Sequence, residues 1–311
     1  MTDAVVEVEG LSKRFGAILA VDGLGFSVGA GEIFGLVGPD GAGKTTTMRM
    51  LASVMRPDEG HVVVDGIDVL AHPEQTKRHV SYMPQRFGLY DDLTVDENIR
   101  FYADLFEVPA ELWRQRAETL LAASDMTRFR TRLAGQLSGG MKQKLGLSCA
   151  LVHTPRVLLL DEPTTGVDPL SRREFWQILY GLRAEGVAMV ISTAYLDEAE
   201  RCDRLALLHR GRLMYCDTPA GLKARMPGAM LEIASPEPRR LRDAVQGLPG
   251  VEGVLLVGIG AHVHVDDAAA RLPQIAQALA AAGVETTRME TVAPTIEDLF
   301  VALLERGEKA S

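Results

Sequence analysis

The stretch GPDGAGKT (38–45) narrows the fold more than anything else in the chain. It fits G-x-x-x-x-G-K-[ST], a loop whose glycines let successive backbone N–H groups turn inward around phosphate oxygens. The flanks agree with that reading. IFGLVG (33–38) is a continuous apolar run suited to a buried strand, and a helix is expected from Gly43 to about Ser53. The helix N-terminus would add its positive dipole. Lys44 would reach the β- and γ-phosphates of a nucleotide, and the Thr45 hydroxyl would ligate Mg²⁺. A chance glycine turn is the alternative, and the strand–loop–helix context argues against it.

Two further motifs fit the same chemistry. VLLLDEP (157–163) is an apolar strand ending in two acids. Asp161 at its end can hold Mg²⁺ through water, and Glu162 can polarise an attacking water. Alone, the stretch reads equally as a strand running into a solvated acidic turn. In LSGGMKQK (137–144), Ser138 is a good N-cap, and Gly139 and Gly140 allow close backbone approach. The plain reading is a capped helix. A chain with one phosphate loop already has its anion site, however, so a second anion-binding helix start points to a nucleotide completed across a dimer.

Composition sets the outer limits. With 311 residues, 47% of them hydrophobic, the chain can bury a sizeable core in one large or two modest domains. The net charge of −9 removes the basic footprint that nucleic acid requires, so no nucleic-acid partner is expected. Three cysteines without CxxC spacing (Cys149, Cys202, Cys216) fit neither a disulfide framework nor a zinc site. The opening MTDAVVEVEG lacks a signal-peptide pattern, and no run approaches the ~18 apolar residues of a membrane span. A membrane component is therefore expected to be a separate chain.

The pattern along the chain is mixed. Residues 1–30 alternate as antiparallel strands, HVVVDGIDV (61–69) as a strand pair, and residues 86–134 repeat at helical spacing, with helices over 93–106 and 110–123. Strands are expected at 156–163 and 187–193, a helix at 169–185 and a hairpin at 204–217. After a shift in composition near ARMPGAM (224–230), the order is strand 229–234, helix 236–247, strands 251–257 and 261–265, helix 268–282, strand 284–291 and helix 294–306. That βαββαβ order suggests a small split-βαβ domain. His262 and His264 share one face of a strand, but two ligands do not make a metal site.

The series GPDGAGKT, YMPQ, LSGGMKQK, LLLDEP, GVDP and YLDEAE, in that order, resembles the ATPase domain of ABC transporters over about residues 5–220. The part ending VAPTIEDLFVALL (292–304) resembles the domain appended to ATPase subunits of ABC-2-type drug exporters. The resemblance implies an α/β fold: a P-loop domain over 1–222, with mixed core sheet, antiparallel β-subdomain and helical subdomain (about 86–150), then an α+β accessory domain over 228–311. It implies ATP and Mg²⁺ as cofactors. Gly38, Pro39, Asp40, Gly41, Ala42, Gly43, Lys44, Thr45 and Thr46 would cradle the phosphates, and Phe15 would stack on adenine, a core aromatic being the alternative. Gln85 would touch Mg²⁺ or the attacking water, with Thr45 and Asp161 as the other metal contacts. Ser138, Gly139 and Gly140 would grip the γ-phosphate held by an opposite ATPase domain, and Asp168 would link the two sites. Glu162, Gln85 and Lys44 would carry the hydrolysis. Residues 87–99 match the docking place of a membrane permease's coupling helix, which implies a peripheral position on the cytoplasmic face of the membrane.

Two positions depart from the family pattern. Met141 replaces the more usual glutamine after LSGG. At the end of VISTAYLDEAE (190–200), Ala194 stands where the family carries a histidine that contacts the γ-phosphate, and the nearest histidine is His209. Alanine has no donor, acceptor or charge. The resemblance thus implies an exporter ATPase subunit with an impaired site of its own. It could act as a homodimer with two slow sites, as one of an unequal pair, or as half of a tandem chain. The whole is most similar to N-terminal halves of tandem exporter subunits. An ATP-dependent dimerisation module with little turnover is the alternative. Ribosome-acting and DNA-repair ABC proteins fit less well: one needs two ATPase domains, the other a long coiled-coil insertion.

Overall fold

The computed structural model describes residues 4–309, with side chains through residue 303. The chain divides into two compact units, one ending at Cys216 and the other beginning at Asp217.

The first unit opens with β1 (Ala4–Phe15) and β2 (Ile18–Gly29), paired antiparallel as their alternation suggests. Next come β3 (Ile33–Val37), α1 (Lys44–Leu51), β4 (Glu59–Val64) and β5 (Ile67–Asp68). The β4–β5 turn, Asp65–Gly66, has both residues at positive φ (50° and 75°), the two-residue geometry that matches strand twist. These strands form one sheet, ordered β2-β1-β4-β5. There follow α2 (Pro73–His79), β6 (Val80–Met83), α3 (Val95–Leu105), α4 (Ala110–Ala123), α5 (Gly139–Leu151), β7 (Val157–Asp161), α6 (Pro169–Ala184), β8 (Ala188–Thr193), α7 (Leu196–Ala199), β9 (Arg204–His209) and β10 (Arg212–Asp217).

A second sheet has the order β10-β9-β3-β8-β7-β6, and the strands from β9 to β6 run parallel. Parallel strands covered on both faces need continuous apolar runs, and every residue of β3, β7 and β8 is buried. Alternate side chains serve two cores. Phe34, Leu36, Leu159 and Val190 join the core shared with the first sheet. Leu158, Leu160, Met189 and Ile191 pack with Phe175, Trp176 and Leu179 of α6. Helices α3, α4 and α5 hold a third cluster around Ile99, Trp113, Leu121 and Leu145.

Residues 86–94, expected to be helical, are irregular, and α3 starts at Val95 behind a capping box of Thr94 and Glu97. The side chain of buried Asn98 explains the break. Its Nδ2 donates to the carbonyls of Tyr90 (3.0 Å), Leu93 (3.2 Å) and Thr94 (3.0 Å), and its Oδ1 accepts from the Tyr90 amide at 2.9 Å. Together with bonds such as those from the Ala134 and Gly135 amides to the Leu93 and Asp91 carbonyls, this side chain satisfies the loop's polar groups in place of a helical ladder.

The second unit contains α8 (Pro219–Lys223), β11 (Ala229–Ala234), α9 (Pro238–Val245), β12 (Val251–Val257), β13 (Gly260–Val265), α10 (Ala268–Ala281), β14 (Arg288–Val292) and α11 (Ile296–Lys309). Its sheet order, β12-β13-β11-β14, is the split-βαβ arrangement that the element order suggests. Strand β14 starts four residues later than expected from position 284, because Val284 is buried in the core under α10 while residues 285–287 are exposed. His262 pairs with buried Asp298 at 2.9 Å, and His264 lies 2.6 Å from the Pro227 carbonyl. Among the described residues no cluster of three or more metal-ligating side chains occurs, and no helix is long and apolar enough to cross a membrane.

Candidate functional site

Three adjacent parallel strands, β3, β8 and β7, end at the same level. Val37 pairs with Thr193, and Asp161 with Ser192. Residues 38, 194 and 162 therefore emerge side by side at the carboxyl edge of the sheet, where open α/β sheets place their ligands.

Gly38 starts the phosphate-loop turn, and its N–H donates to the Thr193 carbonyl at 3.3 Å. A Cβ there would lie 2.3 Å from the Leu208 carbonyl oxygen, so only glycine fits. Gly43, at φ 99°, precedes the first residue of α1, and a Cβ on it would meet the Ala20 carbonyl at 2.5 Å. Between them the loop wraps a cavity of about 510 Å³ lined by Phe15, Ile18, Asp40–Thr46, Gln85, Glu162 and Arg210 among others. The Pro39 carbonyl accepts from Lys44 Nζ at 3.1 Å. Phe15 is 46% exposed and lines this cavity, so it is not a core aromatic.

The charged groups form one connected set. Lys44, 4% exposed, donates to the Gly38 carbonyl at 2.8 Å and lies 3.2 Å from Glu162 Oε1. Gln85 Nε2 donates to Glu162 Oε2 at 3.1 Å. Thr45 Oγ1 donates to Asp161 Oδ1 at 3.1 Å; the same oxygen accepts from Ser192 Oγ at 2.5 Å, and Oδ2 accepts from Tyr82 at 3.2 Å. Burial, and next to it the Asp161 charge, pushes the Tyr82 phenol up to about 12, which keeps it a donor. Glu162 sits at φ 48°, a costly conformation for a side-chain-bearing residue, with its amide donating to both the carbonyl and the hydroxyl of Ser192.

Other motif residues stand apart from the cavity. Ser138 caps α5 by accepting from the Met141 amide at 3.4 Å, and both it and Gly139 are exposed. A Cβ on Gly140 would lie 2.5 Å from Ser171, so this glycine lets α5 approach α6. Asp168 caps α6, and the Ser171 amide it accepts from holds its carboxyl below the usual range. Ser138, Gly139, Gly140 and Asp168 do not line the cavity formed by their own chain.

Ala194 is exposed at the end of β8. The loop around it is shaped by its neighbours: the Tyr195 amide donates to Thr193 Oγ1 at 2.9 Å, and Thr193 Oγ1 donates to Glu198 Oε2 at 2.8 Å. Glu198, 1% exposed, also accepts from Thr164 Oγ1 and from Trp176 Nε1 at 3.4 Å. Sequence reasoning misses Glu198, Ser192, Tyr82 and Arg210. Only the proximity of Ser192 and Tyr82 to motif residues offers a signal for any of them.

The family model described as ABC transporter matches residues 21–165. A daunorubicin resistance ATP-binding protein of Streptomyces coeruleorubidus is 34% identical over 97% of this chain and 96% of its own length. The chain belongs to the ABC transporter ATP-binding family. Its members are ATPases. A probable multidrug ABC transporter ATP-binding protein of Escherichia coli (strain K12) is 44% identical over 98% of this chain, but the match spans only 53% of that protein, so the chain has about half its length. A solved ATP-binding subunit of an ABC transporter aligns with TM-score 0.65 and 31% identity over 71% of this chain and 92% of its own. A subunit from Clostridium perfringens, described as part of an ABC transporter complex, aligns at TM-score 0.66 and 23% identity over 79% and 96%, a likeness of fold.

Proposed function

We propose that this chain binds and hydrolyses ATP to power an ABC-2-type exporter of drugs or other hydrophobic substrates, and that its own ATP site is slow. The observation that carries the reading is the division of its motifs. Lys44, Thr45, Asp161, Glu162 and Gln85 converge on one cavity, while Ser138–Gly140 and Asp168 are absent from its lining. Two such domains, facing each other, would complete each cavity with the partner's signature.

In this reading Phe15 receives the base, and the loop amides of residues 38–46 with Lys44 hold the phosphates. Thr45 and, through water, Asp161 would hold Mg²⁺, whose charge would neutralise the phosphate oxygens. The residues fit such an ion: they are few, oxygen-bearing and adjacent to the phosphate loop, as Mg²⁺ that keeps water and phosphate ligands requires. Glu162, held by Gln85 and Lys44, orients the attacking water. Ala194 offers nothing to the γ-phosphate, and this supports an unequal pair in which the intact LSGGM serves a second ATPase domain. The permease partner would dock on residues 87–99, where Tyr90 is 44% exposed and stacks edge-on against Phe101 at 4.6 Å. The chain would then lie on the cytoplasmic face of the membrane, with the second unit as an accessory domain.

Phosphate release and ATP-induced dimerisation of wild type, Ala194→His and Glu162→Gln test this. The reading expects slow turnover that rises with Ala194→His. Ordinary turnover in the wild type with no gain from histidine removes the slow-site claim. No turnover in either, with dimerisation retained, favours a regulatory module. If Glu162→Gln traps a dimer only when a second ATPase domain is supplied, the pair is unequal.

A further inference from the structure

One cation at the nucleotide cavity belongs to none of the motifs. Arg210 occupies the turn between β9 and β10 and lines the same cavity as Phe15 and the phosphate loop. The turn is tight: Arg210 lies at φ 48° and Gly211 at φ 80°. It is also pinned on two sides. The Gly211 amide donates to the Ala42 carbonyl at 3.2 Å, and the Gly211 carbonyl accepts from the Asp22 amide at 2.9 Å. Arg212 Nε closes the clamp by donating to Asp22 Oδ2 at 2.6 Å. A Cβ on Gly211 would lie 2.8 Å from the Ala20 carbonyl, so the turn sits flush against β2.

These contacts locate the turn that carries Arg210. Ala20 belongs to β2, two residues past Ile18 on the Phe15 side of the cavity, and Ala42 belongs to the phosphate loop. The Arg210–Gly211 turn is thus packed against both the base side of the cavity and the phosphate loop, and Arg210 lines the cavity beside them. The neighbouring arginines are committed, Arg212 to Asp22 and Arg204 to Glu32 at 3.1 Å. The Arg210 guanidinium is exposed and makes no ion pair or hydrogen bond among the described residues.

We propose that Arg210 is a nucleotide-binding residue whose charge contacts the α-phosphate. The inference rests on reading this cavity as the ATP site. The α-phosphate is common to ATP and ADP, so the contact tightens both alike and does not discriminate substrate from product. An exposed cation is screened, so its effect is modest and shrinks with salt.

The test measures ATP and ADP affinity of the full chain at low salt by calorimetry, for wild type, Arg210→Asn, Arg210→Lys and Lys44→Ala. Asparagine tolerates the left-handed backbone, so the turn is kept. The expected result is that Arg210→Asn weakens ATP and ADP equally, by about fivefold, with the deficit fading at high salt. Arg210→Lys stays within about twofold of wild type, because the charge is what acts. Wild-type-like affinity in Arg210→Asn overturns the inference. So does an Arg210→Lys variant as weak as Arg210→Asn, which would assign the guanidinium plane to the base. Lys44→Ala separates the two levels. If it alone loses binding, only the inference fails; if it binds normally, the reading of the cavity fails as well.

Discussion

Replacing Glu198 by alanine tests how the edge of the site is held. The carboxylate is 1% exposed and accepts from Thr164 Oγ1, Thr193 Oγ1 and Trp176 Nε1, with Arg172 Nε 3.9 Å away. Alanine leaves three buried donors without their acceptor, each worth roughly 1–3 kcal/mol if nothing replaces it. The two threonine hydroxyls can rotate to recover part of this, so the expected loss is about 3 kcal/mol. Glutamine keeps one carbonyl for Thr164 and Trp176 and turns an amide towards Thr193, so it should lose roughly half as much. The assay is urea unfolding followed by tryptophan fluorescence, since Trp176 is in the network. With a slope of roughly 2–3 kcal/mol/M, the alanine midpoint should fall by about 1 M. An alanine variant within about 0.5 kcal/mol of wild type, the range of ordinary surface changes, would refute the network's role in holding the strand end.

Asn98→Ala removes four hydrogen bonds to the loop at residues 90–94, and faster amide exchange there, with the α3 core still protected, is expected. Gly38→Ala drives a Cβ to 2.3 Å from the Leu208 carbonyl, so ATP affinity measured by calorimetry should fall at least about tenfold as the loop shifts. Burial holds the His153 imidazole down from 6.5 to about 4, where it stacks on Phe106 at 3.8 Å. Its folded pKa is depressed, so the unfolded chain takes up the proton first and stability present above pH 6.5 is lost as pH falls through 4. The loss amounts to about 3 kcal/mol in a pH series of urea unfolding, and His153→Leu should lessen it.

Much of this was legible where chemistry and local pattern coincide. The phosphate loop combines a buried apolar strand, a glycine turn and a helix start within one short stretch, and each constrains the others. The split-βαβ order of the second unit was readable because its strands and helices alternate with clear changes of period. The sequence hides whatever depends on partners far along the chain. Glu198 lies in the acidic run LDEAE and reads as a solvated helix face; its partners Thr164 and Trp176 are 34 and 22 residues away. Strand β6 escapes notice because its four residues mix Ser81 and Tyr82 with Val80 and Met83, and its place beside β7 is set by tertiary pairing. Residues 86–94 look helical because the bonds that hold their loop come from the Asn98 side chain and from distant partners such as Ala134 and Gly135, which periodicity does not register.

The loop at the end of β8 is shaped by Thr193, Tyr195 and Glu198, and the exposed residue between them adds no bond of its own. The fold therefore keeps no memory of which side chain occupies position 194. Exchanging the exposed side chain at 194 should therefore leave folding stability within about 0.5 kcal/mol. If the slow-site proposal holds, turnover can be tuned at this one position without rebuilding the loop that carries it.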